Sequence, residues 1–192
     1  MSSTPKFAHA VLMTNRLPQM RDWYCTVLDA HVVFENPMLC FITFDEEHHR
    51  LAFVTVPDGS LVERAPNSVG LMHTAYTFAG LDALLERYAY LKSKGIEPQV
   101  PIQHGVTTSL YYRDPDGQFV EMQIDNFEHA DEATAYMRGQ EFAADPIGPA
   151  YDPQRMLDAL NAGTSVAELT TRAWALAGPK LPHPMELFAR VD

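Results

Sequence analysis

The sequence predicts an α+β fold: two βαβββ modules forming a paired, cupped mixed sheet, followed by a C-terminal helical tail. Three observations predict it. The chain repeats itself at a fixed offset. Each repeat runs from an apolar extended segment into an amphipathic helix and then into short strand-like runs. The repeat stops near residue 127, where helix-capping signals replace strand signals.

The repeat comes first. FAHAVLMTNRLPQMRDWYCTVL, from Phe7, aligns without gaps on LMHTAYTFAGLDALLERYAYLK, from Leu71, at an offset of 73 − 9 = 64. His9 falls on His73, Leu17 on Leu81, Met20 on Leu84, Tyr24 on Tyr88 and Val27 on Leu91. The helical parts carry the apolar spacing of a helix packed on a sheet, and Gly95 reads as the left-handed residue that closes the second one. After the first helix, strands are predicted over 31–35, 39–44 and 51–56. After the second they are predicted over 97–100, 107–113 and 119–124, with Asp114-Pro115-Asp116-Gly117 as a hairpin turn. Pro57-Asp58-Gly59 opens a loop that holds Glu63. One face of each half-sheet is covered by its helix and the other needs a partner, so two such sheets curving together would leave a concave cup.

The modules span about 5–63 and 69–127 of a domain covering 1–127, and 128–192 form the helical extension. There Asp152-Pro153 reads as an N-cap followed by a first-turn proline, with Gly163 as the stop. Ser165-Val166-Ala167-Glu168 reads as a capping box opening the last helix. The tail is expected to serve packing or dimer contact, with a lid over the cup as the alternative.

Composition bounds the partners. With 192 residues and 46% hydrophobic content, the chain is long enough to bury a core. A net charge of −11 excludes nucleic acid and anionic membrane surfaces as partners. Two cysteines, Cys25 and Cys40, give neither a disulfide framework nor a CxxC motif, which fits a reducing compartment. No apolar run has bilayer length, and MSSTPKF does not read as a signal peptide, so a cytoplasmic location is expected. A homo-oligomer is expected.

The chemistry lies in the polar residues of apolar strands. His9 and His73 occupy equivalent points of the two halves, and Glu121 sits inside the apolar run FVEMQI. A buried carboxylate is costly unless it is paired or bound to a cation. Two imidazoles and one carboxylate are the ligand set of non-haem Fe(II) oxygenases, with adjacent positions left open. Fe(II) is therefore the expected metal, and Mn(II) suits the same ligands. A second feature is EEHHRLAF, residues 46–53, which sets His48 and His49 side by side before an apolar run. If the chain is extended there, the two rings point to opposite sides.

Together the βαβββ repeat and the segment SLYYRDPDGQFVEMQ resemble the vicinal oxygen chelate superfamily, which includes glyoxalase I, fosfomycin and bleomycin resistance proteins, and type I extradiol dioxygenases. EEHHRLAF resembles the extradiol branch. That resemblance implies ring cleavage of a small aromatic diol of the catechol type by O2. It implies metal ligation by His9, His73 and Glu121, proton transfer by His49, and orientation of substrate and oxygen by His104 and Tyr111. Tyr111 is matched by its place ten residues before Glu121. Glyoxalase I takes a carboxylate from each half, and the strand 51–56 offers none. Two alternatives stand beside this reading: an O2-independent isomerase or lyase using Zn, Mn or Ni, and a small-molecule binding or resistance protein. Three other histidines, His31, His129 and His183, are expected on the surface. Trp23, Tyr24, Tyr88, Met20 and Tyr112 are expected in the core.

Overall fold

The computed structural model describes residues 4–56, 58–65 and 68–190, so Pro57 of the loop named above and residues 1–3 of the leading segment lie outside it. The chain divides into two units: Met1–Gly70 with Asp114–Gln118, and Leu71–Arg113 with Phe119–Asp192.

In the first unit the elements are β1 (Ala10–Met13), α1 (Leu17–Leu28), β2 (His31–Glu35), β3 (Leu39–Thr43) and β4 (Leu51–Val54). The strands form one sheet in the order β1-β4-β3-β2. β1 runs parallel to β4, and the other pairs are antiparallel. The second unit repeats this with β5 (His73–Thr77), α2 (Leu81–Ser93), β6 (Val100–Gln103), β7 (Thr107–Arg113) and β8 (Phe119–Asp125), ordered β5-β8-β7-β6. The paired positions of the sequence repeat are the buried stripes: Leu17, Met20, Tyr24 and Val27 on α1, and Leu81, Leu84, Tyr88 and Leu91 on α2. Tyr112 is fully buried, Trp23 is half-buried, and His31, His129 and His183 are exposed.

Beyond shifts of one or two residues at the strand ends, three features differ from the sequence reading. β6 covers Val100–Gln103, not 97–100. Gly95 takes φ +75°, and the Ile96 N–H returns to the Leu91 carbonyl, so residues 95–98 finish the helix cap before the ladder opens at Gln99 N–H to Tyr111 O. Pro101 fits inside β6 because its N and O face the outer edge of the sheet, where no ladder donor is required. His9 stands one residue before β1 and is exposed, because the Arg50 guanidinium takes the Phe7 and Ala8 carbonyls and the ladder begins at Ala10 N–H to Arg50 O. The Ser165 box caps only α6 (Val166–Leu169), since the Thr171 side chain accepts the Trp174 N–H and starts a new helix, α7 (Arg172–Leu176).

The tail also contains α3 (Ala130–Met137), α4 (Gln140–Ala144), α5 (Pro153–Asn161) and α8 (Pro184–Phe188). Asp152 caps α5 by accepting the N–H groups of Gln154 and Arg155, as its place before a proline predicts. Residues 149–151 add themselves to the outer edge of β6: Gln103 N–H donates to Pro149 O, and Tyr151 N–H to Pro101 O. Leu187 of α8 joins Val100, Ile102, Tyr111, Phe119 and Ala150 in one buried cluster. Phe119 shares a face of β8 with Glu121, so the tail packs on the site face of this sheet. Among the described residues no helix is long and apolar enough to cross a membrane.

The turn between β7 and β8 is built around a buried carboxylate. Asp114 accepts the N–H groups of Asp116 and Gln118 on Oδ1 and the Tyr24 hydroxyl on Oδ2, and Arg16 pairs with Asp116 at 2.7 Å. Burial, the largest influence, outweighs these donors and pushes the Asp114 carboxyl up to about 6. The folded protein therefore binds this proton more tightly than the unfolded chain, and stability falls as pH rises from about 4 to about 6. Asp114→Asn keeps acceptor and shape without titrating. Urea denaturation at pH 4.5 and 7.5 should show the variant gaining on the wild type at the higher pH by on the order of 2–3 kcal/mol. Equal gaps at both pH values would refute the buried-carboxyl account.

Candidate active site

The second unit carries a cluster of polar side chains on an apolar sheet. His73 is the first residue of β5, and Glu121 is the third residue of β8. The parallel register sets His73 opposite Phe119 and Ala75 opposite Glu121, so the two side chains are diagonal neighbours. Their Nε2 and Oε2 atoms stand 3.0 Å apart. Antiparallel pairing of β7 with β8 puts Tyr111 directly opposite Glu121. The rings of His73 and Tyr111 meet edge to face, 5.4 Å between centroids. The Tyr111 hydroxyl is 3.0 Å from His104 Nε2, and His104 Nδ1 is 2.6 Å from the Ile147 carbonyl.

Glu121 is only 4% exposed. Burial, the largest influence, would push its carboxyl up, but the polar groups facing it, His73 first and then Ser109 and Tyr111, together outweigh burial and hold the group below its usual range. Burial likewise lowers His104, against the Glu121 charge and the Ile147 carbonyl, and raises Tyr111. The site therefore presents a carboxylate, a neutral imidazole and a neutral phenol.

Two donor atoms bonded to one divalent cation at about 2.1 Å and at right angles stand about 3.0 Å apart. The His73–Glu121 separation matches that value. His73 Nδ1 is buried with no hydrogen-bond partner, so the ring is oriented by packing and by its Nε2 side. This pair fits a cation. Within either unit, among the described residues, no three His, Cys, Asp or Glu side chains form a metal-binding group. The expected set takes its third member, His9, from the first unit.

In the first unit the structure brings His9, His48 and His49 together. Phe41 stacks on His49 at 4.5 Å with 12° between planes, and His9 lies 4.3 Å from it on centroids. The segment is not extended, so the two neighbouring rings do not point apart as the sequence suggested: the Nδ1 atoms of His48 and His49 are 2.7 Å apart. The bend has a local cause. Arg50 Nε holds both oxygens of Asp45, Asp45 accepts the Glu47 N–H, and the Thr43 hydroxyl takes the Glu47 carbonyl. His49 is buried and His48 exposed. Burial, then His9 and His48, lower the His49 imidazole.

The two sheets also show where the halves diverge. Val11 pairs with Ala52 as Ala75 pairs with Glu121, and 75 − 11 = 64 is the repeat offset. Ala52 is therefore the positional counterpart of Glu121, at an offset of 121 − 52 = 69. Phe41, opposite Ala52, is the counterpart of Tyr111. The first sheet thus offers an alanine where the second offers a carboxylate.

Sequence reasoning missed the support around His104. The Arg172 guanidinium, 6% exposed, donates through Nε and Nη2 to the His104 carbonyl. Asn126 donates to the Gln103 side chain and to the Gly105 and Thr170 carbonyls. Arg172 opens a five-residue helix, Arg-Ala-Trp-Ala-Leu, too short to show a periodic pattern.

A family model described as "Glyoxalase/Bleomycin resistance protein/Dioxygenase superfamily" matches residues 6–122. The chain is 63% identical to "Biphenyl-2,3-diol 1,2-dioxygenase 2" of Rhodococcus globerulus, covering 96% of this chain and 97% of the relative. It is 58% identical to "Biphenyl-2,3-diol 1,2-dioxygenase 3" of the same organism, over 92% and 93%. Among solved structures it resembles lactoylglutathione lyase from Agrobacterium tumefaciens (TM-score 0.52, 20% identity, 64% of this chain and 96% of that one). It also resembles a glyoxalase/bleomycin resistance protein/dioxygenase from Nocardioides (TM-score 0.51, 19% identity, 65% and 86%). These two likenesses speak for the fold alone.

Gly148 sets the segment that reaches His104. It takes φ +89°, and a Cβ there would stand 2.1 Å from the Gln103 carbonyl oxygen, whereas Gly163 takes φ +91° with nothing within 4 Å. Both alanine variants pay the left-handed cost, about 1–2 kcal/mol. Gly148→Ala should lose at least about 2 kcal/mol more than Gly163→Ala in urea denaturation. Equal losses would show that the close approach is not a constraint.

Proposed function

Since the chain belongs to the Glyoxalase/Bleomycin resistance protein/Dioxygenase superfamily, we propose that it is an extradiol dioxygenase that cleaves a catechol-type ring beside its two hydroxyls, in the manner the names of its biphenyl-2,3-diol relatives describe. The observation that carries the reading is the file His104–Tyr111–Glu121–His73 on one face of the second sheet. It pairs a buried carboxylate and imidazole suited to a cation with two neutral groups suited to a substrate oxygen.

His9, His73 and Glu121 would hold the metal, taken as Fe(II), with Mn(II) suiting the same donors. A bound Fe(II) would supply a chelation point for two vicinal oxygens and for O2. The chain's own residues do the rest. A catechol must lose a proton as it binds, and a buried imidazole with a lowered pKa is a ready acceptor at neutral pH. His49 answers that description, held by Phe41 and His9. His104 and Tyr111 present a nitrogen and a hydroxyl that orient substrate and oxygen by hydrogen bonds. The single carboxylate favours this reading over the glyoxalase type, because Ala52 stands where a second would be needed.

Two variants separate the roles. Glu121→Ala should abolish metal retention after anaerobic Fe(II) reconstitution and desalting, measured by metal analysis. His49→Gln should keep wild-type iron content and lose turnover by on the order of a hundredfold or more, measured as O2 uptake with a catechol panel. Unchanged iron in Glu121→Ala would show that the ligand set is misassigned. Full turnover in His49→Gln would remove His49 from the proton transfer.

A further inference from the structure

We propose that the C-terminal tail acts as a positioning element of the site: the Ile147 carbonyl and the Arg172 guanidinium fix His104 in the tautomer that carries its proton on Nδ1, and this directs the Tyr111 proton to His104 and away from Glu121. The proposal rests on His104, Tyr111 and Glu121 being site residues, as argued above.

The argument starts from donors and acceptors. A carbonyl can only accept, so at 2.6 Å from Ile147 O the His104 Nδ1 carries a proton. A neutral imidazole then has a bare Nε2, which accepts the Tyr111 hydroxyl at 3.0 Å. Tyr111 has one proton and two acceptors within reach, His104 Nε2 and the Glu121 carboxylate. In the other tautomer His104 would donate to the Tyr111 oxygen, and the phenol proton would turn to Glu121. That hydrogen bond would occupy the lone pairs Glu121 needs for a cation. The tail therefore sets which group the phenol serves.

Several contacts hold the arrangement. Asp145 Oδ1 accepts the N–H groups of Ile147 and Gly148, which fixes the Ile147 carbonyl in a tight turn. Gly148 alone allows that turn to approach Gln103. On the other side, Arg172 grips the His104 carbonyl with two nitrogens and reaches Glu141 O with a third. Its guanidinium lies 5.7 Å from the Tyr136 ring and 5.8 Å from the Phe142 ring. Gly105 takes φ +90° beneath Tyr136, so the backbone on either side of His104 is fixed by the tail. Burying an arginine costs several kcal/mol unless it is fully engaged. Two of its three nitrogens go to the His104 carbonyl, so holding that residue is the larger part of what it does.

The test reads the tautomer directly. Metal-free protein with 15N-labelled histidine is compared by long-range 1H–15N spectra as wild type, Asp145→Ala, Arg172→Leu and Arg172→Lys, with His104 assigned by its loss in His104→Gln. The wild type should show His104 protonated on Nδ1. Asp145→Ala and Arg172→Leu should show mixed tautomers, and their Fe(II)-loaded forms should lose about tenfold or more in kcat. Arg172→Lys should restore most of both. A wild-type His104 protonated on Nε2 would overturn the proposal. So would folded variants whose spectra and kcat match the wild type. If Arg172→Leu does not fold, Asp145→Ala decides. The spectra require no turnover, so an inactive wild type would count against the proposed function and leave the tautomer to be judged by itself.

Discussion

One constraint governs the second half of this protein: a carboxylate, Glu121, is buried in the middle of an apolar strand. An ionised carboxyl taken from water costs several kcal/mol unless its oxygens are engaged. The neighbouring groups are arranged around that cost. His73 arrives from the parallel strand at 3.0 Å, Tyr111 from the antiparallel strand in direct register, and Ser109 from one step further along. His73, proposed above as a cation ligand, is thus also a group that stabilises the bare carboxylate.

The two halves share a plan and differ in what they place on it. Equal topology and equal buried stripes give each sheet the same set of positions. Where the second sheet carries Glu121 and Tyr111, the first carries Ala52 and Phe41. The Phe41 ring stacks on His49. One half thus supplies a charged site and the other a buried, uncharged imidazole. The same scaffold supports many chemistries, and this asymmetry, more than the fold, points to oxygen-dependent ring cleavage.

Much of this was legible in the sequence because periodicity reports burial. The paired helix stripes and the β7–β8 hairpin follow from spacing, and Tyr111 was singled out by the family resemblance. What failed did so for physical reasons. β6 was displaced because a helix cap consumed residues that look extended. His48 and His49 came together because Asp45 and Arg50 bend the chain, and side chains five residues apart leave no periodic trace. The counterpart of Glu121 was hidden by a change of offset from 64 to 69 between strands. The support of His104 was invisible because its partner is a backbone carbonyl, and a carbonyl has no letter in the sequence.

The tail now has a place: it extends the edge of β6, packs Leu187 against the site face, and grips the loop that carries His104. The central claim is that this site inserts both atoms of O2 into a catechol beside its hydroxyls. It is tested most directly by mass spectrometry of the product formed from 2,3-dihydroxybiphenyl under 18O2 by the Fe(II)-reconstituted protein. The account predicts a ring-opened product heavier by both labelled oxygens, with cleavage next to the diol. A product that forms equally well without O2, or that carries no label, would contradict it.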